Sequence, residues 1–309
     1  MQADVRKACA SIEGDMEAFP TPPADARAQA RGRFAELVGE ADEQPPLIET
    51  ALVIALEECP DLALRKYLAC LHAYRSVVSD RVREAQAASP HEPLSCADRI
   101  RILNSYVFGD LGFHGGPEAY RDPRSSLLNE VIDRRLGIPI TLSLVYMELA
   151  KGADLQLIGV GFPGHFLVKT QGEDPVRLLD PFRGGIELDI EDLEALLREA
   201  GAPATDLVLA LRAVDNRTIV RRLLANLRQV YLLRNETERA LAAVERLLLL
   251  TPDTPQELYE RGLLCGRLGR YPEATAALER LAEVAPESEL AERVEAHLVR
   301  FRYWQSRLN

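Results

Sequence analysis

The sequence has no long apolar run. Its most hydrophobic stretch, residues 138–150, includes Thr141, Ser143 and Glu148 and is shorter than the roughly 18–20 residues that a membrane-spanning helix needs. The first residues mix both charge signs and lack the apolar core of a secretory signal peptide. We therefore expect a soluble, cytoplasmic protein that does not bind membranes.

Excess basic charge and paired cysteines are also missing. The formal net charge is −11 and the sequence pI is about 5.1, which disfavours the broad attraction to phosphate that nucleic-acid binders use. An odd number of scattered cysteines fits neither a disulfide framework nor a zinc site, and it suggests a reducing compartment. The cysteines are Cys9, Cys59, Cys70, Cys96 and Cys265. We expect no nucleic acid, no metal and no other cofactor.

The hydrophobic pattern along the chain predicts an α+β protein that is mostly helical. Residues 1–30 read as an N-terminal arm, because residues 19–32 are rich in Pro and Ala without an apolar period. A first domain is predicted over residues 31–205 and a second over residues 215–309. Apolar residues at helical spacing begin at Leu47, whereas residues 155–188 contain short β-rich runs that predict a small antiparallel sheet.

The C-terminal third repeats itself. Residues 221–254 align with residues 255–288 at a period of about 34 residues, which is typical of tetratricopeptide repeats. Gly262 occupies the small position of the second repeat, whereas the first repeat has Arg228 there. The matching pairs are Leu224 and Leu258, Ala240 and Ala274, Val244 and Leu278, Leu247 and Leu281, and Pro252 and Pro286.

Two repeats bury too little surface to stand alone, so we expect a final helix over residues 289–303 to cap one end of the array. The expected role of this all-α module is to bind a protein or peptide in its groove. The alternative is that its helices only support the rest of the chain.

One histidine stands out in the predicted sheet. His165 follows a Pro-Gly turn in GFPGHFLVKT, and VRLLD ends at Asp180. If Thr170 lies opposite Pro175, His165 lies directly opposite Asp180, where side chains are close enough to hydrogen-bond. Such a pair could be a general base with its orienting carboxylate, or a structural pair at the sheet edge.

Three segments together resemble a known family. LLNEVIDRRLGIPITLSLVYMELA, GFPGHFLVKT and LLDPFRGG are similar to the bacterial SirB family of transglutaminase-like proteins with C-terminal tetratricopeptide repeats. The resemblance covers roughly residues 31–290. It implies a papain-like core, in which a helix packs on an antiparallel sheet, over the first predicted domain.

The resemblance also implies a catalytic pattern that this chain does not complete. Active transglutaminase-like enzymes have a cysteine at the start of the core helix and a His and an Asp on neighbouring strands. His165 and Asp180 match the last two, but Pro139 stands where the cysteine is expected. Proline supplies neither a nucleophile nor a proton, so a catalytically degenerate remnant is predicted.

Other residues are weaker candidates for the same site. Thr141 and Ser143 could supply an unusual hydroxyl nucleophile, or could bond and pack within the helix. Asn129 and Glu130 could line the cleft, or could fix residues 112–126 onto the core. The leading interpretation is a regulatory or scaffold pseudoenzyme that binds proteins. The alternative is an amide hydrolase or acyltransferase. The substrate, the partner and the oligomeric state are left open.

Overall fold

The computed structural model describes residues 22–39, 44–201 and 207–308. Within these ranges the chain forms two compact units. One comprises residues up to 30 together with 45–220, and the other comprises residues 31–44 and 221–309. No helix of the described ranges is both long enough and apolar enough to cross a membrane.

Helices make up most of the first unit. The helix α1 spans Ala24–Val38, where residues 31–38 belong to the second unit. The first unit continues with α2 (Leu47–Leu56), α3 (Leu64–Ala88), α4 (Cys96–Asn104), α5 (Leu128–Arg134), α6 (Pro139–Ala150), α7 (Ile190–Glu199) and α8 (Leu207–Ala210). A π-helical turn over Ser105–Asp110 extends α4. The helices predicted from Leu47 and from Pro139 are thus present.

The strands form two small sheets. Strands β1 (His114–Gly115) and β2 (Leu136–Gly137) pair in parallel. Strands β3 (Leu157–Val160), β4 (Leu167–Thr170), β5 (Leu178–Asp180) and β6 (Ile186–Glu187) form an antiparallel sheet in chain order. The sheet predicted between residues 155 and 188 is therefore observed.

Helix α6 is the centre of the first unit. All of its twelve residues are buried except Met147 and Glu148, and a helix that is apolar on all sides belongs in the interior of a fold. It packs against α3, α5, β3, β4 and the 3₁₀ turn Pro181–Arg183. Pro139 begins this helix because its fixed φ and missing N–H suit the first helical position. A helix on an antiparallel sheet is the core that the resemblance implies.

The predicted register of the β4–β5 hairpin is wrong by two residues. Val168 lies opposite Leu179 and Lys169 opposite Leu178, so Asp180 is not directly opposite His165. Thr170 N–H donates to the carbonyl of Arg177 (3.0 Å), and Arg177 N–H donates to the Thr170 hydroxyl (2.8 Å). Pro175 has no N–H and could not take this place in the ladder.

Most of the predicted N-terminal arm lies outside the described residues. Residues 1–21 lie outside the described residues, and residues 24–32 form the first two turns of α1 instead of an irregular connection. Ala30, Phe34 and Val38 are buried at spacings of four residues, which is a helical period that the Pro/Ala-rich composition hid. The predicted domain boundary near residue 205 also lies outside the described residues.

The second unit contains stacked helical hairpins. Its helices are α9 (Asn216–Leu233, whose residues from 221 onward belong here), α10 (Thr237–Leu250), α11 (Pro255–Arg267), α12 (Tyr271–Val284) and α13 (Glu289–Leu308). A Cβ added at Gly262 would lie 2.6 Å from Leu278 Cγ, so only glycine allows α11 and α12 to approach this closely. Phe301 of α13 packs on Gly266 and Tyr271. The last helix, α13, packs against α12 and α11.

Candidate functional site

The central feature of the site is a buried His–Asp pair. His165 Nε2 donates to Asp180 Oδ2 at 2.9 Å, and the two side chains are 8% and 0% exposed. The two-residue shift in register keeps both residues on one face of the sheet, since side chains alternate with a period of two. The predicted contact is therefore present, although it runs diagonally across the hairpin.

A tight turn places the histidine. His165 N–H donates to the carbonyl of Phe162 at 3.1 Å, with Pro163 and Gly164 between them. Gly164 has a φ of +67°, and proline followed by a residue with positive φ is the pattern of a type II turn. A Cβ at Gly164 would also lie 2.7 Å from the Cβ of Ala200. The turn formed by Pro163 and Gly164 thus fixes the backbone position from which the His165 side chain extends.

The aspartate is held by the backbone that follows it. Asp180 Oδ1 accepts hydrogen bonds from the N–H groups of Phe182 (3.0 Å) and Arg183 (3.4 Å). These are the first N–H groups of the turn Pro181–Arg183, so Asp180 is its N-cap. One oxygen of the carboxylate therefore orders the backbone, and the other accepts the hydrogen bond from the histidine.

His165 lines a cavity of about 310 Å³. Its described lining residues are Pro117, Tyr120, Pro163, Gly164, His165, Phe182, Arg183, Leu196, Glu199 and Ala200. No cysteine, serine or threonine occurs among them. The aromatic rings are close to the imidazole and to each other: the centroid of Phe182 is 5.7 Å from that of His165 and 5.7 Å from that of Tyr120.

Arg183 interacts with two carboxylates at the cavity. Arg183 Nη2 donates to Glu199 Oε2 at 3.1 Å, and Arg183 Nε lies 3.7 Å from Asp180 Oδ2. Burial raises the pKa of Tyr120, and the negative charge of Asp180 raises it further. The phenol of Tyr120 is therefore neutral near pH 7 and supplies a hydrogen-bonding group, not a base.

The start of α6 contributes no reactive group to this cavity. Pro139 is buried and does not appear among the described lining residues. The Thr141 hydroxyl is 0% exposed and interacts with the carbonyls of Ser125 (2.8 Å) and Ile138 (3.1 Å). Ile138 N–H donates to the same hydroxyl at 3.1 Å. Thr141 thus caps the helix and ties it to the preceding turn.

The remaining predicted residues are brought near α6 but not into the cavity lining. Ser143 is 0% exposed, and its hydroxyl has no partner among the described residues. Asn129 is 2% exposed, and its Nδ2 donates to Glu130 Oε1 at 3.4 Å. Burial raises the pKa of Glu130. Asp122, within residues 112–126, forms an ion pair with Arg134 of α5 at 2.7 Å.

Sequence reasoning missed three side chains that shape the cavity: Tyr120, Phe182 and Arg183. The last two had a usable signal, because an Asp-Pro pair predicts an N-capped turn that projects the next residues beside the aspartate. Tyr120 lies in a short 3₁₀ turn, Pro117–Arg121, where no period of the sequence indicates the direction of its side chain. Among the described residues, no group of three or more His, Cys, Asp or Glu is placed to hold a metal ion.

Comparisons with known proteins agree with this architecture. The model of the transglutaminase-like superfamily matches residues 72–225, and that of the tetratricopeptide repeat matches residues 227–299. A UPF0162 protein of Xylella fastidiosa (strain 9a5c) is 38% identical over 262 residues, which cover 84% of this chain and 90% of the relative. The chain belongs to the UPF0162 family of transglutaminase-like proteins.

Further UPF0162 relatives extend the similarity. One from Pseudomonas aeruginosa is 34% identical over 265 residues, covering 80% of this chain and 93% of the relative. The protein SirB1 of Salmonella typhimurium is 28% identical over 207 residues, covering 66% and 77% respectively. The SirB resemblance of the sequence is confirmed. The combination of the two domains in this family suggests a role in protein interaction.

Proposed function

We propose that this UPF0162 protein is a pseudoenzyme of the transglutaminase-like superfamily that acts as a regulatory or scaffold protein in the bacterial cytoplasm. In this assignment the first unit is a non-catalytic scaffold, and the repeats bind a partner protein. The observation that carries the proposal is the cavity at His165, whose described lining residues offer no thiol or hydroxyl of cysteine, serine or threonine. A base without a nucleophile beside it does not complete an acyl-transfer site.

The helix that would carry the nucleophile supports the same conclusion. A helix N-terminus activates a cysteine by lowering its thiol pKa, but the first residue of α6 is Pro139. The hydroxyl of Thr141 is engaged with backbone groups, and both Thr141 and Ser143 are fully buried. The hydrolase or acyltransferase alternative would need one of these hydroxyls to reach the cavity, and no contact favours it.

The His165–Asp180 pair has a structural role in this proposal. It joins the end of β5 to the turn before β4, and Asp180 also caps the turn that packs on α6. A satisfied buried pair of this kind stabilises a unique arrangement of neighbouring elements. The cavity is at the small end of the range for ligand pockets, about 300–1,000 Å³, which suits a single side chain of a partner.

Quantitative co-purification with the full-length chain tests the proposal. We compare wild type with His165→Gln, which keeps a polar group of similar length, by isotope-labelled mass spectrometry of bound proteins from the bacterial cytosol. The proposal predicts an unchanged set of bound proteins and no change in their modification. Loss of a cleaved or cross-linked product in the variant, with the fold intact by circular dichroism, would contradict it.

A further inference from the structure

A row of arginines that form no ion pair among the described residues follows the outer side of the last helix. Arg293, Arg300 and Arg307 are exposed and recur every seven residues along α13. None of the three forms an ion pair within the described residues, whereas Arg302 of the same helix pairs with Glu279 at 2.6 Å. Residues seven apart lie almost above one another on a helix, about 10 Å apart. The three arginines therefore leave the helix at regularly spaced positions, and the guanidinium carbon of Arg300 lies 5.1 Å from the centroid of the Phe301 ring.

Exposed apolar side chains accompany this row. Val299, Tyr303 and Trp304 are 60%, 50% and 44% exposed. The rings of Tyr303 and Trp304 contact each other edge to face at 5.5 Å between centroids. The guanidinium carbon of Arg307 lies 5.0 Å from the centroid of the Tyr303 ring. Aromatic residues and arginine are the side chains most enriched in the energetic centres of protein interfaces.

The arginines and the exposed apolar side chains share one side of α13. At 100° per residue, Val299, Arg300, Tyr303 and Arg307 fall within about 100° of arc, and Phe301, which is 2% exposed, points to the opposite side. We call the surface formed by Arg293, Val299, Arg300, Tyr303, Trp304 and Arg307 the arginine face. The repeat array covers the other side of α13 through Phe301.

We propose that the arginine face binds an acidic amphipathic helix of a partner protein, whose carboxylates repeat every seven residues. A helix lying along α13 would place carboxylates at the spacing of the guanidinium groups and its apolar side chains against Val299 and Tyr303. This inference rests on the proposed function, because it names the chemistry of the partner that the repeats bind.

Two other polyanions fit less well. Nucleic acid and anionic membranes present continuous negative charge, which the formal charge of −11 of the chain repels more strongly than it repels the few carboxylates of a short helix. Exposed Glu292 and Glu295 lie on α13 itself, so an extended polyanion along the row would meet carboxylates. A short acidic helix with few, spaced charges avoids this conflict.

The only tryptophan of the chain lies in the arginine face, so its emission reports binding directly. We titrate the full-length protein with a tryptophan-free amphipathic helical peptide of about 15 residues, with glutamate at every seventh position and leucine on the adjoining part of the same face. The control peptide has lysine in place of glutamate. The expected result is a saturable change in Trp304 emission with the acidic peptide at submillimolar concentration, weakened by added salt, and none with the lysine peptide.

Two variants that change the charge by the same amount show whether binding depends on the arginine face. Arg300→Glu should weaken peptide binding at least tenfold. Arg65→Glu, an exposed arginine of α3, should change it less than twofold. Equal binding of both peptides, equal effects of both variants, or binding of phosphatidylglycerol vesicles or single-stranded RNA in place of the acidic peptide would overturn the inference. Neither result depends on His165. Failure of peptide binding would leave the non-catalytic assignment standing, and His165-dependent chemistry would overturn that assignment alone.

Discussion

His165 reaches Asp180 diagonally across the β4–β5 hairpin, with Nε2 and Oδ2 2.9 Å apart. Asp180 is fully buried and its other oxygen accepts two backbone N–H groups. The carboxylate therefore links the turn before β4 to the turn after β5. Stability is therefore one measurable consequence of this pair.

Replacement of the aspartate should be costly. Asp180→Ala leaves two N–H groups and the imidazole without their acceptor, and we expect the free energy of unfolding to fall by about 3 kcal/mol. Asp189→Ala is the matched control, because Asp189 is an exposed N-cap of α7 whose loss should cost about 1 kcal/mol. Urea unfolding followed by circular dichroism measures both. Equal losses for the two variants would contradict the structural role of Asp180.

Thr141 should behave as a helix cap. Thr141→Val keeps the shape but removes the hydroxyl that bonds Ser125 and Ile138, and we expect a loss of about 1–2 kcal/mol in unfolding free energy. Thr141→Ser retains the hydroxyl and should lose less. Thermal unfolding compares the two variants. A valine variant as stable as wild type would show that the hydroxyl has no capping role.

The helices and strands can be predicted from the sequence more directly than the geometry of the site can. Pro139 and Gly262 each identify a helix start or a close helix contact, because their backbone or side-chain constraints act locally. The predicted register of the hairpin was wrong because a shift of two residues leaves the apolar alternation unchanged. Only the missing N–H of Pro175, which cannot donate in the ladder, distinguishes the two registers. The cavity around His165 depends on the direction of Tyr120, which is set by tertiary packing and has no local signal.

The close contact at Gly262 predicts a specific cost in the second unit. Gly262→Ala adds a Cβ 2.6 Å from two atoms of the fully buried Leu278, and we expect a net destabilisation of about 1–2 kcal/mol even after the better helix propensity of alanine. Gly32→Ala is the control in α1, where nothing lies within 4 Å of the added atom. It should stabilise by about 0.5–1 kcal/mol. Calorimetry distinguishes these opposite signs.

A buried thiol predicts part of the alkaline unfolding profile. Burial raises the pKa of Cys265 from its ordinary value of 9.0 to about 11. Between pH 9 and 11 the unfolded chain loses this proton and the folded chain keeps it, so the contribution to stability is complete below pH 9 and is lost as pH rises through that window.

Cys265→Ala should therefore flatten the profile. The free energy of unfolding of wild type should fall more steeply than that of the variant, by up to about 1.4 kcal/mol per pH unit. Urea unfolding at pH 8 and at about pH 10 measures both slopes, and comparing slopes removes the constant cost of the smaller side chain. Parallel profiles would mean that Cys265 does not titrate differently in the two states.

The most direct test of the non-catalytic assignment is intact-protein mass spectrometry after incubation with an activated acyl donor, a p-nitrophenyl ester or a glutamine-containing peptide. Wild type and His165→Ala are treated in parallel, each at pH 7–8. The account predicts that neither protein acquires an acyl adduct that depends on His165. An adduct on Ser143 or Thr141 that forms in wild type and disappears in His165→Ala would contradict it and establish an acyl-enzyme.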